Sequence, residues 1–135
     1  TVPETQKEIA AYIKQRNPIN HPCVMFKKSS VEFSGGYQPC PYFEDYDLWV
    51  RMYRDQAVLA NLPDTLLYMR VNGMHQRRGG IQYAKHIVEF RMKMYRYQVI
   101  TFGEFLPMTL VRVLVSLMPN GVRKYLYDKK LRKHK

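Results

Sequence analysis

Apolar positions along the chain fall into short periodic runs separated by Pro- and Gly-rich breaks. Thr5 and Glu8 have the spacing of a capping box. The following Ile9, Tyr12 and Ile13 lie at helical spacing, which predicts a first helix with those three side chains as its buried stripe. Asn17-Pro18 ends it, because the residue before proline avoids the helical region. Residues 22–26, Pro-Cys-Val-Met-Phe, form a short apolar run suited to a buried strand. Ser34-Gly35-Gly36-Tyr37 and Pro39-Cys40-Pro41 mark an irregular loop. Glu44-Asp45-Tyr46-Asp47 then opens a helix with apolar pairs Leu48/Met52 and Trp49/Tyr53 at i,i+4. Three carboxylates in one first turn suit the positive end of a helix dipole. Residues 57–60 and 66–71 read as strands on either side of Pro63-Asp64.

The last third changes character. Ile81, Ala84, Val88, Met92, Tyr95 and Val99 form one stripe at helical spacing, and Tyr83, Phe90 and Tyr97 a second nearly opposite. A helix apolar on two sides is usually sandwiched between partners. Residues 105–118 predict another helix, closed by Pro119-Asn120-Gly121. At residues 122–135 the chain carries Arg123, Lys124, Lys129, Lys130, Arg132, Lys133 and Lys135 against Asp128 alone, a basic helix with apolar residues on two faces.

Composition narrows the classes. A chain of 135 residues is enough for one domain, and 46% hydrophobic with 24% charged residues fits a folded globular chain. Lys plus Arg number 22 against 11 Asp plus Glu, a formal charge of +11 that favours a polyanionic partner such as nucleic acid, anionic lipid or a phosphate-rich substrate. Cys23 and Cys40 are too few for a disulfide scaffold and lack zinc-site spacing, so two reduced thiols are expected. The first sixteen residues lack the apolar run of a secretory signal, and no Met opens the chain, so a piece of a longer protein or a processed product is expected. The 105–118 run is short for a membrane span and is interrupted by Pro107 and Arg112.

The most informative stretch lies between Arg16 and Gly80. It reads, in order, Asn20-His21-Pro22, Gly35-Gly36-Tyr37, Glu44-Asp45-Tyr46-Asp47-Leu48-Trp49 and Arg77-Arg78-Gly79-Gly80. This ordered set resembles the C-terminal half of family-two glycosyltransferases, the inverting GT-A enzymes, and most nearly the amylovoran-type enzymes of bacterial capsule, exopolysaccharide and lipopolysaccharide assembly. The resemblance implies an α/β fold: residues 1–78 as the acceptor-side half of a GT-A catalytic domain, and 79–135 as a C-terminal helical, basic extension.

The resemblance also implies roles. Asp45 matches the family's general base, and Glu44 would orient it or contact the acceptor. Gly35, Gly36, Tyr37, His21 and Trp49 would form the acceptor side. Arg70, Arg77, Arg78 and His75 would meet the donor pyrophosphate, with His75 the one candidate metal ligand in the chain. A divalent Mg or Mn ion is expected for the full-length enzyme, with most ligands elsewhere, since the Asp-x-Asp metal motif precedes the Gly-Gly-Tyr loop in that family and Asp45-Tyr46-Asp47 follows it here. The chain alone is therefore expected to be inactive. Expected partners are a nucleotide-sugar donor, a UDP-sugar by expectation, a saccharide or lipid-linked acceptor, and the inner face of a bacterial membrane met peripherally from the cytoplasm.

Residue chemistry leaves alternatives open beside those roles. Glycosyl transfer needs a base to take the acceptor's hydroxyl proton, and a carboxylate at a helix start beside a glycine loop is suitably held. The same Glu44, Asp45 and Asp47 also serve as helix-start charges. His21 beside Pro22 suits a structural position as well as a pocket wall, and the glycines suit any tight turn. Two rival classes remain at this level: a nucleic-acid-binding module motivated by the charge, although no zinc-finger, homeodomain or RNA-recognition signature is present, and a dimerisation piece motivated by the two-faced helix.

Overall fold

The computed structural model describes residues 2–68, 79–119 and 121–122. Five α-helices and one 3-10 turn carry the described chain: α1 (Gln6–Tyr12), the 3-10 turn His21–Cys23, α2 (Lys28–Phe33), α3 (Glu44–Arg54), α4 (Ile81–Arg96) and α5 (Phe102–Leu117).

The expected capping box opens α1. Thr5 accepts from the Glu8 N–H, and the Glu8 carboxylate accepts from the Thr5 N–H at 3.0 Å. Ile9 and Ile13 are fully buried. The backbone carbonyls just past α1 are capped by side chains from three other helices. Tyr46 of α3 donates its hydroxyl to the Ile13 carbonyl, Arg91 of α4 donates to the Lys14 carbonyl at 2.5 Å, and Arg112 of α5 donates to the Gln15 carbonyl. Such carbonyls have no partner within the helix and need one.

α4 and α5 form an antiparallel hairpin. The Gly80 N–H at the start of α4 donates to the Ser116 carbonyl near the end of α5 at 3.0 Å. Gln98, with φ 58, sits in the connection. A second capping box, Thr101 with Glu104, starts α5 at Phe102, three residues before the predicted start, and the helix continues through Pro107. α4 turns Tyr83, Ala84, Ile87, Phe90, Arg91 and Met94 inward. This corrects the predicted stripe: Ile81 is 79% exposed, and Val88 and Tyr95 are also exposed. The register follows from aromatic partners on the segment entering α3. Phe43 stacks on Phe90 at 4.8 Å and on Tyr83 at 5.8 Å, while Tyr46 lies 4.8 Å from Phe90. One apolar cluster takes side chains from Ile9 through Phe105, drawing on both sides of residue 78.

The expected strands do not form among the described residues. Residues 22–26 begin in the 3-10 turn and continue as unpaired extended chain. Residues 57–60 run along the start of α1 instead: the Leu59 N–H donates to the Gln6 side chain at 2.6 Å, the Asn61 N–H to the Glu4 carbonyl at 3.1 Å, and the Gln6 amide to the Ala57 carbonyl at 3.4 Å. A strand needs a neighbouring ladder, and side-chain and single-backbone bonds take these groups first. Residues 66–68 are irregular, and the remainder of the 66–71 run lies outside the described residues.

Candidate functional site

α3 begins at Glu44 after Phe43, whose side chain makes no cap. Asp45 is the second residue of the helix and is half-buried. Each of its carboxylate oxygens accepts one hydrogen bond: Oδ1 from the Tyr46 N–H at 2.8 Å, and Oδ2 from the Asn17 amide at 2.7 Å. Asn17 is held in turn, since its Oδ1 accepts from the Ile19 N–H at 3.3 Å. α1 ends at Tyr12, before the expected Asn17-Pro18 stop, and Asn17 in the segment that follows orients Asp45 instead. A carboxylate has about four acceptor positions, so two bonds leave capacity for a substrate hydroxyl.

The other expected acceptor-side residues gather on the same side. His21 Nε2 is 2.8 Å from the Tyr37 hydroxyl, and the two rings lie 5.7 Å apart. Trp49, one helical turn after Asp45, lies 6.4 Å from His21 and 6.2 Å from Phe26. Trp49 is only 1% exposed, so it forms the floor beneath His21 and Phe26 rather than an open stacking platform. Burial first, and the Asp45 carboxylate second, push the Tyr37 phenol above its ordinary pKa, which records how near the two groups are. Glu44 is exposed at the helix's first position.

Gly35 and Gly36 have a defined backbone task. Both have positive φ, +79 and +63. The Gly36 N–H donates to the Val31 carbonyl at 2.9 Å and the Gly35 N–H to the Glu32 carbonyl at 3.0 Å. This pairing is a Schellman cap closing α2, which requires the left-handed region and so favours glycine. Their amides are therefore occupied, and their effect on the site is to aim Tyr37. On the other side of the loop, Arg51 of α3 donates to the Ser34 carbonyl and to the Gly36 carbonyl, the latter at 2.7 Å, while its Nε donates to Asp47 at 2.9 Å. Neither Asn17 nor Arg51 stood out as a site residue in the sequence. Asn17 carried a detectable signal, its Asx-Pro position, whereas the Arg51 bonds go to loop carbonyls that no motif announces.

Arg70, His75, Arg77 and Arg78 lie outside the described residues. Among the described residues, no group of three or more His, Cys, Asp or Glu converges on a metal position. A small pocket bordered by Pro39, Cys40, His86, Glu89 and Lys93 lies on the α4 side and includes none of the Asp45 group. Burial, with Asp47 adding to it, pushes the Cys40 thiol up to about 11, so this buried cysteine is held neutral.

Comparison with known proteins bears on what this arrangement does. The chain is 34% identical over 130 residues to a UDP-Gal:alpha-D-GlcNAc-diphosphoundecaprenol beta-1,3-galactosyltransferase of Escherichia coli, covering 96% of the chain and 47% of that protein. Its curated relatives are glycosyltransferases. The amylovoran biosynthesis glycosyltransferase AmsE of Erwinia amylovora is 36% identical over 130 residues, 95% of the chain and 48% of its own length. An uncharacterised glycosyltransferase of Haemophilus influenzae is 38% identical over 135 residues, 98% of the chain and 49% of its own length. The chain thus spans about half the length of the glycosyltransferases it matches. No protein-family model matches the chain, and no solved structure matches it. All three are glycosyltransferases, which favours the transferase class over both rivals.

Proposed function

We propose that this chain is the acceptor-side part of an inverting glycosyltransferase of the GT-A type, acting in bacterial surface-polysaccharide synthesis. Its donor is a nucleotide sugar, a UDP-sugar on this reading, and its acceptor a saccharide or lipid-linked saccharide. The observation that carries the reading is the Asp45 carboxylate, fixed by Asn17 and the Tyr46 N–H beside the Tyr37–His21 pair. Asp45 accepts the proton of the acceptor hydroxyl while that oxygen attacks the anomeric carbon from the face opposite the leaving nucleoside diphosphate, so configuration inverts. His21 and Tyr37 offer imidazole and hydroxyl groups to the sugar, over the floor made by Trp49, and Glu44 at the helix start orients Asp45 or contacts the acceptor.

Arg70, Arg77, Arg78 and His75 meet the pyrophosphate through charge-assisted hydrogen bonds. A divalent Mg or Mn ion would neutralise the leaving diphosphate. The described residues offer no cluster to hold one. The test is Asp45→Asn in the full-length protein, which keeps shape and removes basicity. Turnover should fall by roughly 10² or more with donor affinity little changed. Near-parental turnover would remove Asp45 from the role of base.

The reading includes peripheral attachment to the inner face of the bacterial membrane. What supports it is the outer side of α5, where Phe102, Leu106, Leu110, Val111, Leu114 and Leu117 are all exposed. The helix's two charged side chains, Glu104 and Arg112, are both tied back, to Lys14 and to the Gln15 carbonyl. The basic 122–135 sequence follows directly. An apolar helix face beside a cationic run suits an anionic lipid surface. No helix among the described residues is long and apolar enough to cross a membrane.

A further inference from the structure

We infer that Asp47 and Arg51 form a positioning pair that locks the loop carrying Tyr37 onto the helix carrying Asp45. This rests on the acceptor-site reading above and adds two residues to it. Asp47 is fully buried and Arg51 is 2% exposed. Their side chains meet at i,i+4 on α3 at 2.9 Å. The other Asp47 oxygen, Oδ1, lies 3.6 Å from Lys93 of α4 and has no hydrogen-bond partner among the described residues. Asp47 therefore aims the guanidinium and balances its charge, while the remaining Arg51 nitrogens reach the Ser34 and Gly36 carbonyls.

A role in ordinary packing alone does not account for this. α2 buries only Val31, and Phe33 is 80% exposed, so apolar contact holds α2 to the rest of the molecule weakly. The loop amides are already satisfied by the α2 cap. Burying an ion pair is costly relative to apolar side chains of similar size. What the pair gains is geometry: one planar fork grips the carbonyls on both sides of Gly35, and the next residue after Gly36 is Tyr37. Gly35 suits this turn through its φ of +79; a Cβ there would make only ordinary contact with the Arg51 guanidinium, at 3.7 Å, and a tighter one with the flexible Gln38 amide, at 3.1 Å. Asp45 and Arg51 sit on one rigid helix, so the distance between the proton acceptor and the Tyr37–His21 pair is set through Arg51. Lysine, a point charge, cannot span both carbonyls and Asp47.

The experiment uses the full-length protein with Arg51→Lys, Arg51→Gln and Asp47→Asn, measuring steady-state constants for donor and acceptor separately and the imidazole NMR signals of His21 without substrates. The expected result is an acceptor KM raised about tenfold or more, a donor KM within about twofold, and a shifted His21 signal, because misplacing a binding group acts on the substrate it orients. An acceptor KM within about twofold of the parent, or donor and acceptor constants worsening together, overturns the proposal. If the Arg51 variants fail to fold, Gly36→Ala takes their place. It strains the loop at φ +63 with nothing within 4 Å of the new Cβ and leaves the ion pair intact. It should give the same acceptor-selective rise, and an unchanged acceptor KM overturns the proposal. Should Asp45→Asn retain turnover, the base assignment falls while the acceptor-selective effect of Arg51 still stands. If no sugar transfer is found, the His21 signal decides: a shift in Arg51→Lys supports the pair, and none overturns it.

Discussion

Cys40 shows how environment, rather than residue type, sets chemistry. Its thiol is 7% exposed and pushed up to about 11, whereas Cys23 is exposed. Only the thiolate attacks an alkylating reagent, and at pH 8 a group of that pKa is about 10⁻³ ionised. Iodoacetamide labelling of the native protein at pH 8 should therefore modify Cys23 and leave Cys40 until unfolding, as peptide mass analysis would show; rapid labelling of both would contradict the burial. The same shift carries a pH consequence. A folded-state pKa above the unfolded one means that the native state holds the proton more tightly. The stability contributed is present below the unfolded value and is lost as pH rises toward about 11. Chemical denaturation between pH 8 and 11 should show this alkaline loss, and Cys40→Ser should flatten it. At this scale Asp45 was readable because a local motif announces it. Asn17 and Arg51 gain their importance from partners 28 and 15 to 17 residues away, which periodicity does not report.

Helices declare themselves through different signals, and those signals differ in reach. The Thr5/Glu8 box is local, and α1 forms where it predicts. The opening of α3 is local too, with its acidic first turn and its Leu48/Met52 pair buried. Removing the α1 cap by Thr5→Ala should cost about 1 kcal/mol in urea unfolding. The inward face of α4 is not local. Its sequence offers two apolar stripes, and the parallel stack of Phe43 on Phe90, 6° between planes, selects the face containing Tyr83, Ile87, Phe90 and Met94. Phe90→Ala should accordingly cost about 3–5 kcal/mol, a large part of a small domain's stability. A loss below 1 kcal/mol by the same measurement would show that the stack does not anchor α4. The unformed strands have the same origin. Residues 22–26 and 57–60 have strand composition, but pairing is a property of neighbours, and among the described residues the neighbours are helices and side-chain amides.

For the whole molecule, the proposed membrane attachment calls on net charge and the outer side of α5 together. Each Lys or Arg near an anionic surface contributes about 1 kcal/mol, weakened by salt. Sedimentation with phosphatidylglycerol vesicles should thus weaken as salt rises, and it should drop when residues 122–135 are deleted. Leu110→Glu should reduce it without affecting binding to simple polyanions such as heparin. Equal sedimentation of the Leu110→Glu variant and the parent would detach α5 from the membrane reading. The capped end of α1 has a different consequence, in time rather than in energy. Seven residues are too few for a helix to persist alone in water. The groups that complete α1 arrive from 33, 77 and 97 residues further along. Contacts so distant form only after long loops close. α1 should therefore be the last helix to gain protection during refolding, its amides marking the moment when α3, α4 and α5 have all docked. Pulsed hydrogen exchange would time that event against the α4–α5 hairpin, which can zip from the short connection at Gln98 without waiting for any other helix.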